Sequence, residues 1–147
     1  MAMEIKVITE KLELLLYGFG GMAINKDYAG TAFRLSGRMW DVVKTHHLKN
    51  KGKNIWVYEV ADKVFAGVEL EPSSDDPHGL EKMTIRLDKY AYYKHVGPYQ
   101  LIKRAGQDMT DELTRQGYEV RLPYIEIYGH WTDDETKLET ELLMCLK

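Results

Sequence analysis

Apolar and polar positions along this chain follow two rhythms, and each rhythm occurs twice. Residues 11–21, KLELLLYGFGG, are an apolar run ending in glycines and predict a strand that runs into a Gly-rich turn. From Asp27 onward, Ala32, Leu35, Met39 and Val42 or Val43 recur at helical spacing, with Phe33 and Trp40 as a neighbouring aromatic edge. Two short strand patterns follow, IWVYEV at 55–60 and VFAGVEL at 64–70, joined by ADK as a hairpin. Then EPSSDDPHG, residues 71–79, interrupts every pattern with Pro, Ser, Asp and Gly and marks a connector.

The second half repeats this order. A strand pattern beginning near residue 80 continues into a Tyr-rich stretch from Tyr90 to Val96 and ends at Gly97-Pro98. Pro98 suits the first turn of a helix, where its missing N–H would have no partner in any case. Ile102, Ala105, Met109 and Leu113 share one helical face, and Gly117 supplies a C-terminal stop. YIEIYG and KLETELLMCL then read as two strands around the polar hairpin HWTDDET. Each half is therefore strand, turn, helix, strand, strand.

This order predicts an α+β fold of tandem strand-helix-strand-strand repeats with pseudo-two-fold symmetry. Its antiparallel sheet would carry helices on one face and a groove on the other. The expectation is one domain over 1–147, with half-repeats at about 1–71 and 80–147 and a connector at 72–79.

Strand parity sorts the side chains of 124–128 into two sets. Tyr124, Glu126 and Tyr128 point one way, Ile125 and Ile127 the other. Placing the isoleucines beneath the helices sends the tyrosines and the glutamate to the open face. In the equivalent strand of the first half, Trp56 and Tyr58 join them, with Ile55 and Val57 beneath the helix. Four aromatic rings and one carboxylate can be a solvated sheet surface or a pocket for an organic cation. Aromatic faces attract cations by about 0.5–2 kcal/mol, and a partly buried carboxylate needs a compensating charge.

Composition narrows the classes. The 147 residues are 44% hydrophobic and 29% charged, as expected of a globular chain long enough to bury a core without staples. A net charge of -3 argues against a broad nucleic-acid surface, and the lysine-rich stretch KTHHLKNKGK at 44–53 reads as a solvated helix end and loop. The single cysteine, Cys145, sits in an apolar run and reads as an inert buried thiol in a reducing compartment. No apolar run is long enough to span a membrane, and the N-terminus has no secretory pattern, so the expectation is a cytoplasmic protein. The five histidines lack metal-ligand spacing, GFGG lacks the lysine of a phosphate-binding loop, and TDDET lacks calcium-loop order, so no metal or cofactor is expected.

Three segments carry a resemblance. YAYYKHVGPYQLIKRAGQDMTDEL, LPYIEIYGHW and ETELLMCL, in that order across most of 80–147, closely resemble the effector-binding domain of gyrase-inhibitor-like (GyrI-like) proteins. The same domain forms the C-terminal half of multidrug-sensing regulators of the AraC and MerR classes. The resemblance implies a ligand groove between the repeats, with Glu126 as principal cation contact and Tyr124 and Tyr128 as walls. Trp56 and Tyr58 join them through the repeat alignment alone. The chain departs from the family in ending MCLK where an isoleucine-proline pair is common. It is nearly consumed by the effector domain and shows no helix-turn-helix, which points to a stand-alone member without direct DNA reading.

Three functions compete. The first is binding of hydrophobic, cationic small molecules for sensing or sequestration. The second is hydrolysis of cyclopropane-containing electrophiles, known for some stand-alone members, with Glu126 as general base and Tyr128 or Tyr58 donating to the developing oxyanion. The third, inhibition of a protein partner such as gyrase, fits least, because a DNA-mimicking protein would carry a stronger negative charge than -3.

Overall fold

The computed structural model describes residues 3–71 and 77–147. The connector expected at 72–79 lies in large part outside the described residues. Among the described residues, eight strands form one antiparallel sheet: β1 (Lys6–Ile8), β2 (Leu12–Met22), β3 (Asn54–Tyr58), β4 (Lys63–Val68), β5 (Glu81–Leu87), β6 (Tyr90–Val96), β7 (Val120–Tyr128) and β8 (Glu139–Leu146). Two helices accompany them, α1 (Tyr28–Thr45) and α2 (Ile102–Arg115). The fold class is α+β, as expected, with both helices on one side of the sheet.

Both helices form where their apolar spacing places them. The Asp27 side chain caps α1 by accepting from the Gly30 N–H at 3.0 Å, and α1 buries Ala32, Leu35, Met39 and Val43. In α2, Ile102, Ala105, Met109 and Leu113 are the buried residues. Gly117, at φ +90°, stops that helix in the left-handed region where a side chain would be strained.

The strand order is β1-β6-β8-β7-β3-β4-β2-β5. The centre is the β3–β7 ladder, which joins equivalent strands of the two repeats and pairs Trp56 with Glu126 and Tyr58 with Tyr124. The outermost strands are exchanged: β1 pairs with β6 of the second half, and β5 with β2 of the first. This exchange forces curvature. β1 and β2 lie six positions apart, roughly 29 Å in a flat sheet, yet the link from Ile8 to Leu12 spans at most about 14 Å. The sheet must curl until its two edges approach.

The curl explains the core. Leu16, Ile55, Val57, Phe65, Ile85, Leu87, Ile125 and Leu143, drawn from both ends of the strand order, pack together on the face without helices. Ile125 and Val57 are wholly buried there. The expected arrangement, with Ile55, Val57, Ile125 and Ile127 beneath the helices, is therefore reversed. A curled sheet buries its inner face against itself, and the helices cover the outer one.

Three local differences follow. The glycines of GFGG lie within β2 rather than in a turn, and a Cβ on Gly18 would fall 1.9 Å from the Ala66 carbonyl oxygen. That close approach of β2 to β4 admits only glycine. The stretch from residue 80 to Val96 is two strands broken at Asp88-Lys89, and β1 is a strand that no pattern predicted.

Candidate functional site in the groove between the helices

α1 covers the β2–β4 side of the sheet and α2 the β6–β8 side, leaving the β3–β7 ladder open between them. A cavity of about 700 Å³ occupies this gap. The groove thus lies on the helix-bearing face, not on the opposite one as expected. A smaller cavity, about 350 Å³, lies at the exposed ends of β2, β4 and β5 and contains none of the expected site residues.

Tyr58, Tyr124, Glu126 and Tyr128 all line the groove. Glu126 is only 7% exposed, yet no basic side chain among the described residues pairs with it. Three phenols hold it instead. Tyr128 donates to Oε1 at 2.7 Å, Tyr58 to the same oxygen at 3.3 Å, and Tyr124 to Oε2 at 2.9 Å. Tyr124 and Tyr128 are two residues either side of Glu126 on one strand face, while Tyr58 arrives from β3, directly opposite Tyr124. A register shift between Arg121 and Tyr124 marks where the strand bends into this arrangement.

Burial pushes all three phenols well above the ordinary tyrosine range, and the charge of Glu126 and the bonds to it push the same way. They therefore stay protonated donors. The rings of Tyr58 and Tyr124 stack at 5.8 Å.

The fifth expected residue is placed differently. Trp56 sits behind the groove surface, against Ala32 and Leu35 of α1, with its ring 4.7 Å from that of Tyr128. Its Nε1 hydrogen has no acceptor among the described residues.

Two rim residues were not anticipated. Tyr28 opens α1 and stands edge-on to Tyr58 at 6.3 Å, while Tyr99, just ahead of α2, stands edge-on to Tyr128 at 5.6 Å. They occupy corresponding places in the two repeats. Tyr28 is tied to the β3–β4 turn by a hydrogen bond to Asp62. Each follows a helix-start signal, Asp27 or Gly97-Pro98, so extending the repeat comparison to the helix starts would have found both. Gly106 and Met144 complete the α2 side, and Asp27, Asp62, Lys103 and Arg121 give the mouth charges of both signs.

The sequence profile of the GyrI-like small molecule binding domain matches residues 57–147. The chain belongs to this family. Among solved structures, the GyrI-like chain is similar throughout its length to the EcmrR C-terminal domain, at 14% identity and a TM-score of 0.77, covering 99% of that domain. It is also similar to SAV2435 bound to tetraphenylphosphonium, at 16% identity and a TM-score of 0.64 over 100% of this chain and 94% of that one. A hydrolase from Listeria innocua aligns at 11% identity and a TM-score of 0.55, over 97% of this chain and 91% of the other. At these identities the likeness establishes the shared fold. Comparison with curated protein sequences returned no match. Among the described residues, no helix is long and apolar enough to cross a membrane.

Proposed function

We propose that the groove between α1 and α2 binds a bulky lipophilic organic cation, with Glu126 as its counter-charge and Tyr58, Tyr124 and Tyr128 as its aromatic walls. The observation that carries this reading is the Glu126 carboxylate, buried without a cationic partner among the described residues and held by three phenols. Burying a charge is costly unless it is paired. Phenolic donors relieve part of that cost, and they leave a negative field directed at an aromatic cavity. A cation entering it gains both the carboxylate and the ring quadrupoles in a site with little water.

A volume near 700 Å³ is of the size that takes drug-sized ligands. Ring walls and a single charge constrain shape weakly, so the site should accept several such cations at micromolar affinity. The tetraphenylphosphonium complex of a protein with the same fold makes that cation the natural probe. A direct test compares it with tetraphenylborate, which has the same shape and the opposite charge. Calorimetric binding of the phosphonium alone supports the proposal. Equal binding of both ions contradicts it.

The hydrolytic alternative uses the same atoms, with Glu126 as base and Tyr128 as donor. Both Tyr58 and Tyr128 already occupy Oε1, and Tyr124 occupies one side of Oε2. A general base needs a free lone pair within reach of a water, and the clamp leaves one only on Oε2, whereas a cation needs only the field. The arrangement therefore favours binding.

A further inference from the structure

Glu126 is not the only carboxylate that a tyrosine holds in this groove. Asp62, in the turn between β3 and β4, is half-buried and lines the same cavity. Ala61 and Asp62 both take left-handed backbone angles, φ +61° and +60°, as a type I′ hairpin turn requires at its two central positions. Aspartate is among the residues that tolerate this conformation, while Ala61 tolerates it less well. The turn is held from two sides. The Asp62 carbonyl oxygen accepts from the Ala23 N–H at 2.8 Å, and its Oδ1 accepts from the Tyr28 hydroxyl.

These bonds position the carboxylate and leave it without a counter-ion. No basic side chain among the described residues pairs with Asp62, and its Oδ2 accepts no hydrogen bond from them. A run of contacts joins it to Glu126. Tyr28 stands edge-on to Tyr58 at 6.3 Å, and Tyr58 donates to Glu126 at 3.3 Å. The two tyrosines thus have a carboxylate at each end, one deep in the groove and one at its mouth. The remaining charges give the mouth a direction. On the α1 lip Asp27 and Glu59 join Asp62 against Lys26 alone, whereas Lys103 and Arg121 make the α2 lip positive. A second positive charge on a ligand is drawn to the first lip and repelled by the other.

We infer that Asp62 is a second cation contact, so that the groove selects dications: lipophilic cations whose ammonium arm runs from Glu126 along Tyr58 and Tyr28 to Asp62. The inference rests on the cation reading of Glu126 and narrows its ligand class. Tyr28 is the positioning residue, because its hydroxyl occupies Oδ1 and turns Oδ2 over to the arm. A carboxylate has lone pairs enough for both donors. Water and salt reach the half-buried Asp62, so this pair contributes less than the one at Glu126 and weakens as ionic strength rises.

The test titrates the full chain calorimetrically, near neutral pH and at low salt, with tetraphenylphosphonium and with triphenylphosphoniums bearing either an ω-aminoalkyl or an ω-hydroxyalkyl arm of short, medium or long chain. In wild type the amino compound of the best-fitting length should bind about fivefold more tightly than its hydroxyl counterpart, the size of a favourable exposed ion pair. Asp62→Asn should abolish that difference. Asparagine keeps an oxygen for the Tyr28 hydroxyl and suits the left-handed turn, so the variant keeps its fold. Glu126→Gln, in contrast, should weaken both compounds. Equal affinities for amino and hydroxyl arms at every length in wild type, or an advantage that survives Asp62→Asn, overturns the second contact, while tetraphenylphosphonium binding leaves the cation site standing. If no phosphonium binds the wild type, the cation reading fails and the second contact falls with it.

Discussion

Trp56 and Glu126 face each other across the central ladder of the sheet. An antiparallel ladder between equivalent strands of two repeats has its local two-fold axis at its middle pair, so this tryptophan is the first repeat's counterpart of the glutamate. By the same relation Tyr58 corresponds to Tyr128. The rim repeats the correspondence, since Tyr28 stands edge-on to Tyr58 as Tyr99 does to Tyr128. The groove therefore lies between two similar aromatic half-sites whose symmetry is broken at one position, where one repeat tucks an indole behind the groove surface and the other presents a carboxylate to it.

The phenol clamp predicts a graded loss of stability. A hydrogen bond to a charged group contributes about 1.5–3 kcal/mol. Tyr128→Phe and Tyr124→Phe, which remove the 2.7 and 2.9 Å bonds, should destabilise the free protein by about that much, and Tyr58→Phe, at 3.3 Å, by less. Denaturant midpoints at neutral pH measure the order directly. Equal, negligible losses would mean that the clamp contributes nothing.

The same phenols make stability fall at alkaline pH. Unfolded tyrosines ionise near 10.0, whereas Tyr58, Tyr124 and Tyr128 are raised well above that, chiefly by burial, and Tyr92 is pushed up to about 12 by burial and its bond to Glu141. Above pH 10 the folded state thus holds more protons than the unfolded one. The stability these groups contribute is full below pH 10 and is lost as pH rises, by about 1.4 kcal/mol per pH unit for each of the three clamp phenols. Absorbance titration of tyrosinate should show Tyr58, Tyr124 and Tyr128 ionising only with unfolding.

Which face carries the groove is testable without a structure. Ile125, wholly buried on the helix-free side, should lose about 2–5 kcal/mol of stability on Ile125→Ala and leave cation affinity within roughly twofold. A collapse of binding in a protein that remains folded would place this residue at the site instead.

Two helical glycines should behave oppositely toward the ligand. Gly37 on α1 has nothing within 4 Å of a Cβ position, so Gly37→Ala should stabilise the protein by about 0.5–1 kcal/mol with no effect on binding. Gly106 on α2 lines the groove, and a Cβ there would lie 3.4 Å from the Tyr124 hydroxyl. Gly106→Ala should therefore weaken binding of a bulky cation. Thermal unfolding with and without tetraphenylphosphonium reads both effects.

The helices were legible in the sequence because one face of each must be apolar and the other is wet, so Ala32, Leu35 and Met39, or Ile102, Ala105 and Met109, leave no choice of side. The strands offered no such asymmetry. Around Glu126, alternation separates two sets of residues but does not say which set meets a helix, and here both faces are covered. The exchange of β1 and β5 between halves, which curls the sheet and makes the isoleucine face the inner core, is a long-range pairing with no local signature. The cluster of Tyr58, Tyr124, Glu126 and Tyr128 survived this reversal, because parity keeps side chains together whichever face they occupy. Trp56 shares that parity but is drawn under α1, a packing choice that strand alternation does not record.

The central claim is that Glu126 supplies the charge that holds a cation, and calorimetric titration of tetraphenylphosphonium into wild type and Glu126→Gln tests it most directly. The account predicts saturable binding by the wild type and a loss of at least about tenfold in the variant, roughly 1.4 kcal/mol or more, with the variant shown to be folded by its circular dichroism. Unchanged affinity in a folded Glu126→Gln protein would contradict it.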